Sequence, residues 1–279
     1  MSRRNLTAAA YRELAARLGR RDLDVVKRVA DLRFVTGSQL ALLCFNLGDD
    51  PTVSARAARR ALLRLTRLGV LDRLPRQVGG VRAGSAGYIY CLGLGGQRLA
   101  VEHGWQPERR TRRSLVPGTL FVRHALQVAE LHARLVEADR SGSFELLKLS
   151  GEPACWRSLG GLAGQRQRLK PDSYVRLGVG DFEHSYFIEV DRGTEGSRAL
   201  ERQLQLYVAY YRSGAEQAKR SVFPRVVWLA PDERRVDVIA ASVAGLAEAE
   251  RELFRVAVLD QVLDVIVPTT VTRFHRRET

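Results

Sequence analysis

Cysteine is nearly absent from this chain. Cys44, Cys91 and Cys155 are the only three in 279 residues, and no two share the spacing of a zinc site or a redox pair. That excludes a disulfide framework and fits a reducing compartment, with each thiol a small buried hydrophobe. Lysine is scarce too, four residues among 45 basic ones, so positive charge here means arginine. Long apolar runs are missing. The longest uncharged one, Val238–Ala247, is about half of what a membrane-spanning helix needs. The opening MSRRNLTAAAYRELAARLGRR has no apolar core of the kind a secretory signal carries. A soluble, cytoplasmic protein is the expectation. Neither GxGxxG nor a Walker phosphate loop occurs, and the five histidines have no neighbourhood that makes a Ser-His-Asp or Cys-His arrangement.

What the chain does have is basic charge, unevenly placed. Residues 1–116 carry 22 Lys and Arg against 9 Asp and Glu, whereas residues 117–279 carry 23 against 22. Essentially the whole net charge of +14 therefore belongs to the first part. It is densest in Ser54–Leu68, SARAARRALLRLTRL, a stretch of good helix formers without Gly or Pro. On a helical wheel Arg56, Arg59, Arg60, Arg64 and Arg67 share one arc of roughly 140°. Ala58, Ala61, Leu62, Leu65 and Leu68 share the opposite arc. One side wants a core and the other a polyanion. Such a row can also be an ordinary solvated face, but no carboxylate interrupts it. Gly69 ends the helix. Two extended runs follow, Val70–Val78 and Tyr88–Leu92, joined by the tip GGVRAGSAG with Arg82 in it.

Two shorter helices precede this one. The first runs to about Leu32 with Asp22 able to cap it. The second, Ser38–Phe45, opens on the capping-box pattern Thr36-x-x-Gln39. Three helices and a hairpin in this order predict an α+β winged helix-turn-helix domain over residues 1–104, with Gly95–His103 as a closing helix. Residues 105–118, holding two prolines and four arginines, read as a linker. Residues 119–279 alternate helix and strand signals and predict an α/β domain. Its elements are a helix at Thr119–Ala138, a strand at Phe144–Leu149, a Gly-rich loop at Leu159–Gln167 and strands at Ser173–Leu177 and Ser185–Asp191. After them come a helix at Thr194–Tyr211, a strand at Val222–Leu229, mostly helix over Asp232–Leu253 and a last strand at Val256–Leu259.

Along Ser185–Asp191, alternation puts Phe187, Glu189 and Asp191 on one face of a strand. Two carboxylates there need a partner. A divalent metal is one, with Asp172 supplying a third oxygen. The other is structural: Asp191 and Thr194 shape the turn Asp-Arg-Gly-Thr, and Glu189 pairs with an arginine. Pro171-Asp172, then Glu189-Val190-Asp191, then Gln203-x-x-x-Tyr207 on the next helix resembles the PD-(D/E)xK nuclease fold, also called restriction-endonuclease-like, and its RecB-like branch. That resemblance implies Asp172 and Glu189 as magnesium ligands. It also exposes a departure, because Asp191 stands where the fold carries a catalytic lysine. Lys170 or Lys148 would have to substitute.

As a whole, the winged-helix pattern, the Ser54–Gly69 run, the Tyr88-Ile89-Tyr90 strand, Arg168-Leu-Lys-Pro-Asp172 and Phe187-Ile-Glu-Val-Asp-Arg-Gly-Thr194 resemble the replication-relaxation family, from about Arg20 to Leu263. The resemblance implies a protein of plasmids or integrative mobile elements, linked to plasmid replication and DNA relaxation. The expected partner is double-stranded DNA, with a homodimer or other mobile-element proteins as further partners. Two readings of the second domain stand: a degenerate nuclease-like scaffold, or a magnesium-dependent DNA endonuclease or nickase using Asp172, Glu189, Asp191 and Lys170. A transcription regulator with a ligand-sensing α/β domain is the weaker third.

Overall fold

Thr36 and Gln39 cap each other reciprocally, as the T-x-x-Q pattern predicts. The Thr36 side chain accepts from the Gln39 N–H at 3.2 Å, and the Gln39 side chain accepts from the Thr36 N–H at 3.1 Å. This is a local rule surviving into a computed structural model that describes residues 7–45, 51–74, 87–106, 118–160, 166–194 and 196–267. The chain divides into two compact units, residues 1–133 and 134–279. Most of the proposed linker lies outside the described residues.

In the first unit, helices α1 (Ala8–Ala16) and α2 (Arg20–Leu32) lead to a two-residue strand, β1 (Val35–Thr36). Helices α3 (Gly37–Cys44) and α4 (Pro51–Arg67) follow, then strands β2 (Leu71–Arg73) and β3 (Ile89–Leu92), and helix α5 (Leu94–Glu102). The strands form an antiparallel sheet in the order β1-β3-β2. The first fifteen residues of α6 (Thr119–Arg140) belong to this unit as well. Helix α2 is capped by Gly19 rather than Asp22. Asp22 instead sits three residues into the helix and accepts the Gly19 N–H at 2.9 Å. Helix α4 begins three residues earlier than its sequence pattern, because proline is tolerated at the first helical position, where an N–H has no partner anyway.

Two glycines are demanded by geometry. Gly69 takes φ +71°, turning the chain out of α4 into β2. Gly96 lets α5 lie against that turn, since a Cβ there would come within 2.3 Å of the Val70 carbonyl oxygen.

The second unit is built on a five-stranded sheet in the order β10-β9-β8-β7-β4. Its strands are β4 (Glu145–Gly151), β7 (Ser173–Val179), β8 (Phe182–Val190), β9 (Arg225–Ala230) and β10 (Phe254–Val258). Pairs β4–β7 and β7–β8 are antiparallel, while β8–β9 and β9–β10 are parallel. The parallel steps need crossovers, and helices α7 (Ser197–Arg212) and α9 (Glu233–Ala244) supply them. Two short helices, α8 (Ala215–Arg220) and α10 (Glu248–Arg251), fill the connections, and α11 (Val262–Ile266) closes the described chain. The Gly-rich stretch read as a loop is flanked by strands instead. β5 (Arg157–Gly160) and β6 (Arg166–Leu169) pair as a separate antiparallel hairpin. Glycines at its centre hid the short strand signals on either side.

One face of the large sheet carries an aromatic core. Phe187 of β8 packs near Tyr174, Tyr207, Tyr210 and Phe223, with ring centroids 5.6–6.4 Å apart. Beneath it Glu216 is buried and shared by Arg157 at 2.8 Å, Arg220 at 2.9 Å and the Tyr210 hydroxyl at 2.5 Å. Burial alone would raise its pKa. The hydrogen bonds from Arg157 and Tyr210, with the charges of Arg157 and Arg220, outweigh that and hold it below the usual carboxylate value.

Candidate functional site

Two surfaces carry the residues singled out by the sequence. The first is the outer face of α4. Ala58, Leu62 and Leu65 are buried, as the apolar arc requires, and Arg56, Arg59, Arg60, Arg64 and Arg67 are all exposed. They are not equivalent. Arg64 donates to the Asp22 carboxylate of α2, and the Arg59 Nε–H donates to the Ala55 carbonyl at 3.2 Å. Arg56, Arg60 and Arg67 sit along the middle of the face, and Leu63 lies among them with 39% of its surface exposed. At about 100° per residue Leu63 falls inside the arginine arc, between Arg59 and Arg56. Arg82 and the rest of the hairpin tip lie outside the described residues.

The second is the carboxylate cluster at the ends of β7 and β8. The backbone N–H of Asp172 donates to the Ile188 carbonyl at 3.0 Å, and its Oδ2 accepts the Val190 N–H at 2.7 Å. This lashes the residue before β7 to the end of β8. Glu189, 5% exposed, faces α7, and its Oε1 accepts the Tyr207 hydroxyl at 2.5 Å. Burial first, then the Glu189 charge and this bond, push Tyr207 well above the ordinary phenol value. Tyr207 is therefore a donor. Gln203, one turn earlier on α7, is half-buried. Cys155 borders the same cluster and donates to the Pro171 carbonyl at 2.9 Å. Its thiol is pushed up, chiefly by burial and further by Glu152, Asp172 and Glu189.

Asp191 is held differently. Arg235 of α9 grips it with two parallel bonds, Nε to Oδ1 at 2.9 Å and Nη2 to Oδ2 at 2.8 Å. Oδ1 also accepts the Gly193 N–H, which shapes the turn after β8. Both oxygens are thus committed, and a metal ion at Asp191 would have to displace a guanidinium. Asp172 and Glu189 are the pair that could present oxygens to magnesium, a cation often bound through one or two carboxylates and water. Lys170 is exposed with its Nζ 5.1 Å from the Trp156 ring centre, and Lys148 is exposed on β4. Among the described residues, no group of three or more His, Cys, Asp or Glu is placed to hold a metal ion.

Arg235 had no signal in the sequence. It lies 44 residues from Asp191, on α9, and only the parallel pairing of β8 with β9 brings the two together. Truncating Arg235→Ala should strand a nearly buried carboxylate and cost the second unit about 3 kcal/mol, the low end for a broken buried pair. Denaturant unfolding measures this. Asp191→Ala combined with Arg235→Ala should cost clearly less than the two single changes added together; simple additivity would show that the pair is not coupled.

Residues 26–226 match the family model described as Replication-relaxation, a span that includes α4, the carboxylate cluster and all of α7. No curated protein and no solved structure matches the chain. No helix among the described residues is long and apolar enough to cross a membrane.

Proposed function

The chain belongs to the replication-relaxation family, and from that premise we propose that it is a DNA-binding protein of a plasmid or integrative mobile element, acting in plasmid replication and relaxation. The observation that carries this reading is the exposed arginine face of α4, backed by an apolar inner face. The order α2-β1-α3-α4-β2-β3, with the sheet running β1-β3-β2, supports a winged helix in which α4 enters the major groove. We propose Arg82, in the stretch between β2 and β3, as a further contact to the backbone or the minor groove. Arginines on α4 divide between phosphates, which set affinity, and base edges, which set specificity.

In the second unit, an antiparallel β4-β7-β8 run followed by a parallel step to β9 through α7 supports the restriction-endonuclease-like reading. Asp191 in place of the lysine, locked onto Arg235, favours a degenerate scaffold over a working nuclease. Hydrolysis needs a group that helps generate hydroxide near the metal, and a carboxylate neutralised by a guanidinium does not supply one.

Binding of the full-length protein to labelled duplex DNA tests the reading. With about five phosphates neutralised, affinity should fall several-hundredfold between roughly 50 and 200 mM salt. Affinity indifferent to salt would overturn it. Supercoiled plasmid incubated with the protein and magnesium or manganese separates the two roles of the second unit. Intact supercoils are expected. Magnesium-dependent nicking that disappears in Asp172→Ala and Glu189→Ala would make it an enzyme instead.

A further inference from the structure

Helix α7 has two working faces. Its inner side carries Leu200, Leu204, Tyr207 and Val208 into the core. Its outer side forms one wall of an open groove of about 1060 Å³, whose other wall is strand β6. Arg198, Glu201, Arg202 and Gln205 line it from the helix, and Gln167 and Arg168 from the hairpin. Three guanidiniums thus meet one carboxylate in the concavity. Among the described residues, none of the three arginines has a carboxylate at ion-pairing distance. The arrangement is not what helix stability alone selects. Arg198 occupies the first turn of α7, which has no acidic residue and no side-chain cap, at the end of the helix dipole that prefers negative charge.

Arg168 is partly organised in advance. Its guanidinium lies 5.4 Å from the Trp156 ring centre, and that indole is itself anchored by donating to Glu152 at 3.2 Å. A stacked guanidinium loses less freedom when an anion arrives. The wall from Arg198 to Ala209 runs roughly 16 Å along the helix, enough to follow one strand past several phosphates. Glutamine amides and an exposed alanine add polar donors and little bulk. Because these residues point away from Tyr207, the groove is separate from the carboxylate cluster.

We propose that this groove binds the phosphate backbone of a DNA strand, giving the second unit a sequence-independent grip of its own. The proposal rests on the DNA-binding reading of the chain but uses none of the α4 arginines. The test compares full-length wild type, Arg168→Ala/Arg198→Ala/Arg202→Ala, Glu201→Gln, and an α4 variant lacking Arg56, Arg60 and Arg67. Binding to an arbitrary duplex is followed by fluorescence anisotropy over a range of salt concentrations. The groove variant should bind at least about tenfold more weakly, and its slope of log affinity against log salt should shrink by roughly two to three, near 0.9 for each phosphate no longer neutralised. Glu201→Gln, which removes the one negative charge, should strengthen binding by about two- to threefold. Unfolding midpoints, with an Arg→Lys triple variant that keeps the charge and the slope, separate weakened phosphate binding from a damaged fold.

Unchanged affinity and slope in both the groove and Glu201→Gln variants overturn the proposal, as they would if the groove served a small phosphorylated ligand. Weakening in the α4 variant alone leaves the function proposed above standing and removes this inference. Weakening in the groove variant alone keeps this inference and removes α4, not DNA binding, from the function proposed above. A wild type that binds no duplex removes both.

Discussion

Replacing Arg56, Arg60 and Arg67 together by alanine should weaken duplex binding about a thousandfold, or about 4 kcal/mol. The three occupy the centre of the exposed face of α4, along one stripe. Arg64 is left out because Asp22 already holds it, and Arg59 because it bonds back to its own helix. Each phosphate released should lower the salt slope by about 0.9, so the slope should fall by two to three. If one of the three reads a base edge, it adds about 1–3 kcal/mol of discrimination that vanishes with it. The folded state should not suffer, since alanine is the better helix former at exposed positions. Arg→Lys at the same sites separates the two contributions. It keeps the charge and most of the slope but loses the planar fork that pairs with guanine. An alanine triple variant with unchanged affinity and slope would remove α4 from the interface.

The second large effect comes from a histidine on α6. His132 is 1% exposed, and its pKa is lowered to about 3, first by burial and then by the charges of Arg28 and Lys27. An unfolded chain takes up a proton there near pH 6.5, whereas the folded first unit resists until about pH 3. Stability is therefore complete above the unfolded value and declines as pH falls through that window, by about 1.4 kcal/mol for each pH unit. At pH 4 the loss reaches about 3 kcal/mol relative to neutral pH. Denaturant melts at a series of pH values, compared with His132→Gln, isolate this from the carboxylates that titrate over the same range. The variant should lose stability less steeply between about pH 6 and pH 4. Parallel profiles would mean that His132 does not carry the acid sensitivity.

These two effects are not equally visible in the sequence, and the difference is physical. The arginine stripe of α4 can be read directly because a helix repeats every 3.6 residues, so residue spacing fixes which side chains share a face. Local caps such as Thr36–Gln39 and the glycine turn at Gly69 are legible for the same reason: their partners are three or four residues away. Alternation along β8 likewise places Phe187 and Glu189 on one face of the strand, and the core packing of Phe187 and the Tyr207 bond to Glu189 lie on that side. His132 is different. It shares α6 with many apolar residues, and nothing in the spacing says which of its neighbours become fully enclosed.

Sequence by itself determined most of the elements and their order, the concentration of positive charge in residues 1–116 and the family to which the chain belongs. Tertiary structure decided what the charges do. Arg64 and Arg67 look alike in sequence, yet only Arg64 meets an aspartate, from a helix more than forty residues earlier. Asp191 looked like a ligand until Arg235 arrived on a crossover helix, and Arg168 met the arginines of α7 because a hairpin formed where glycines suggested a loop. Periodicity is a property of neighbours along the chain. Pairing and concavity come from segments distant in sequence, and no spacing rule encodes them.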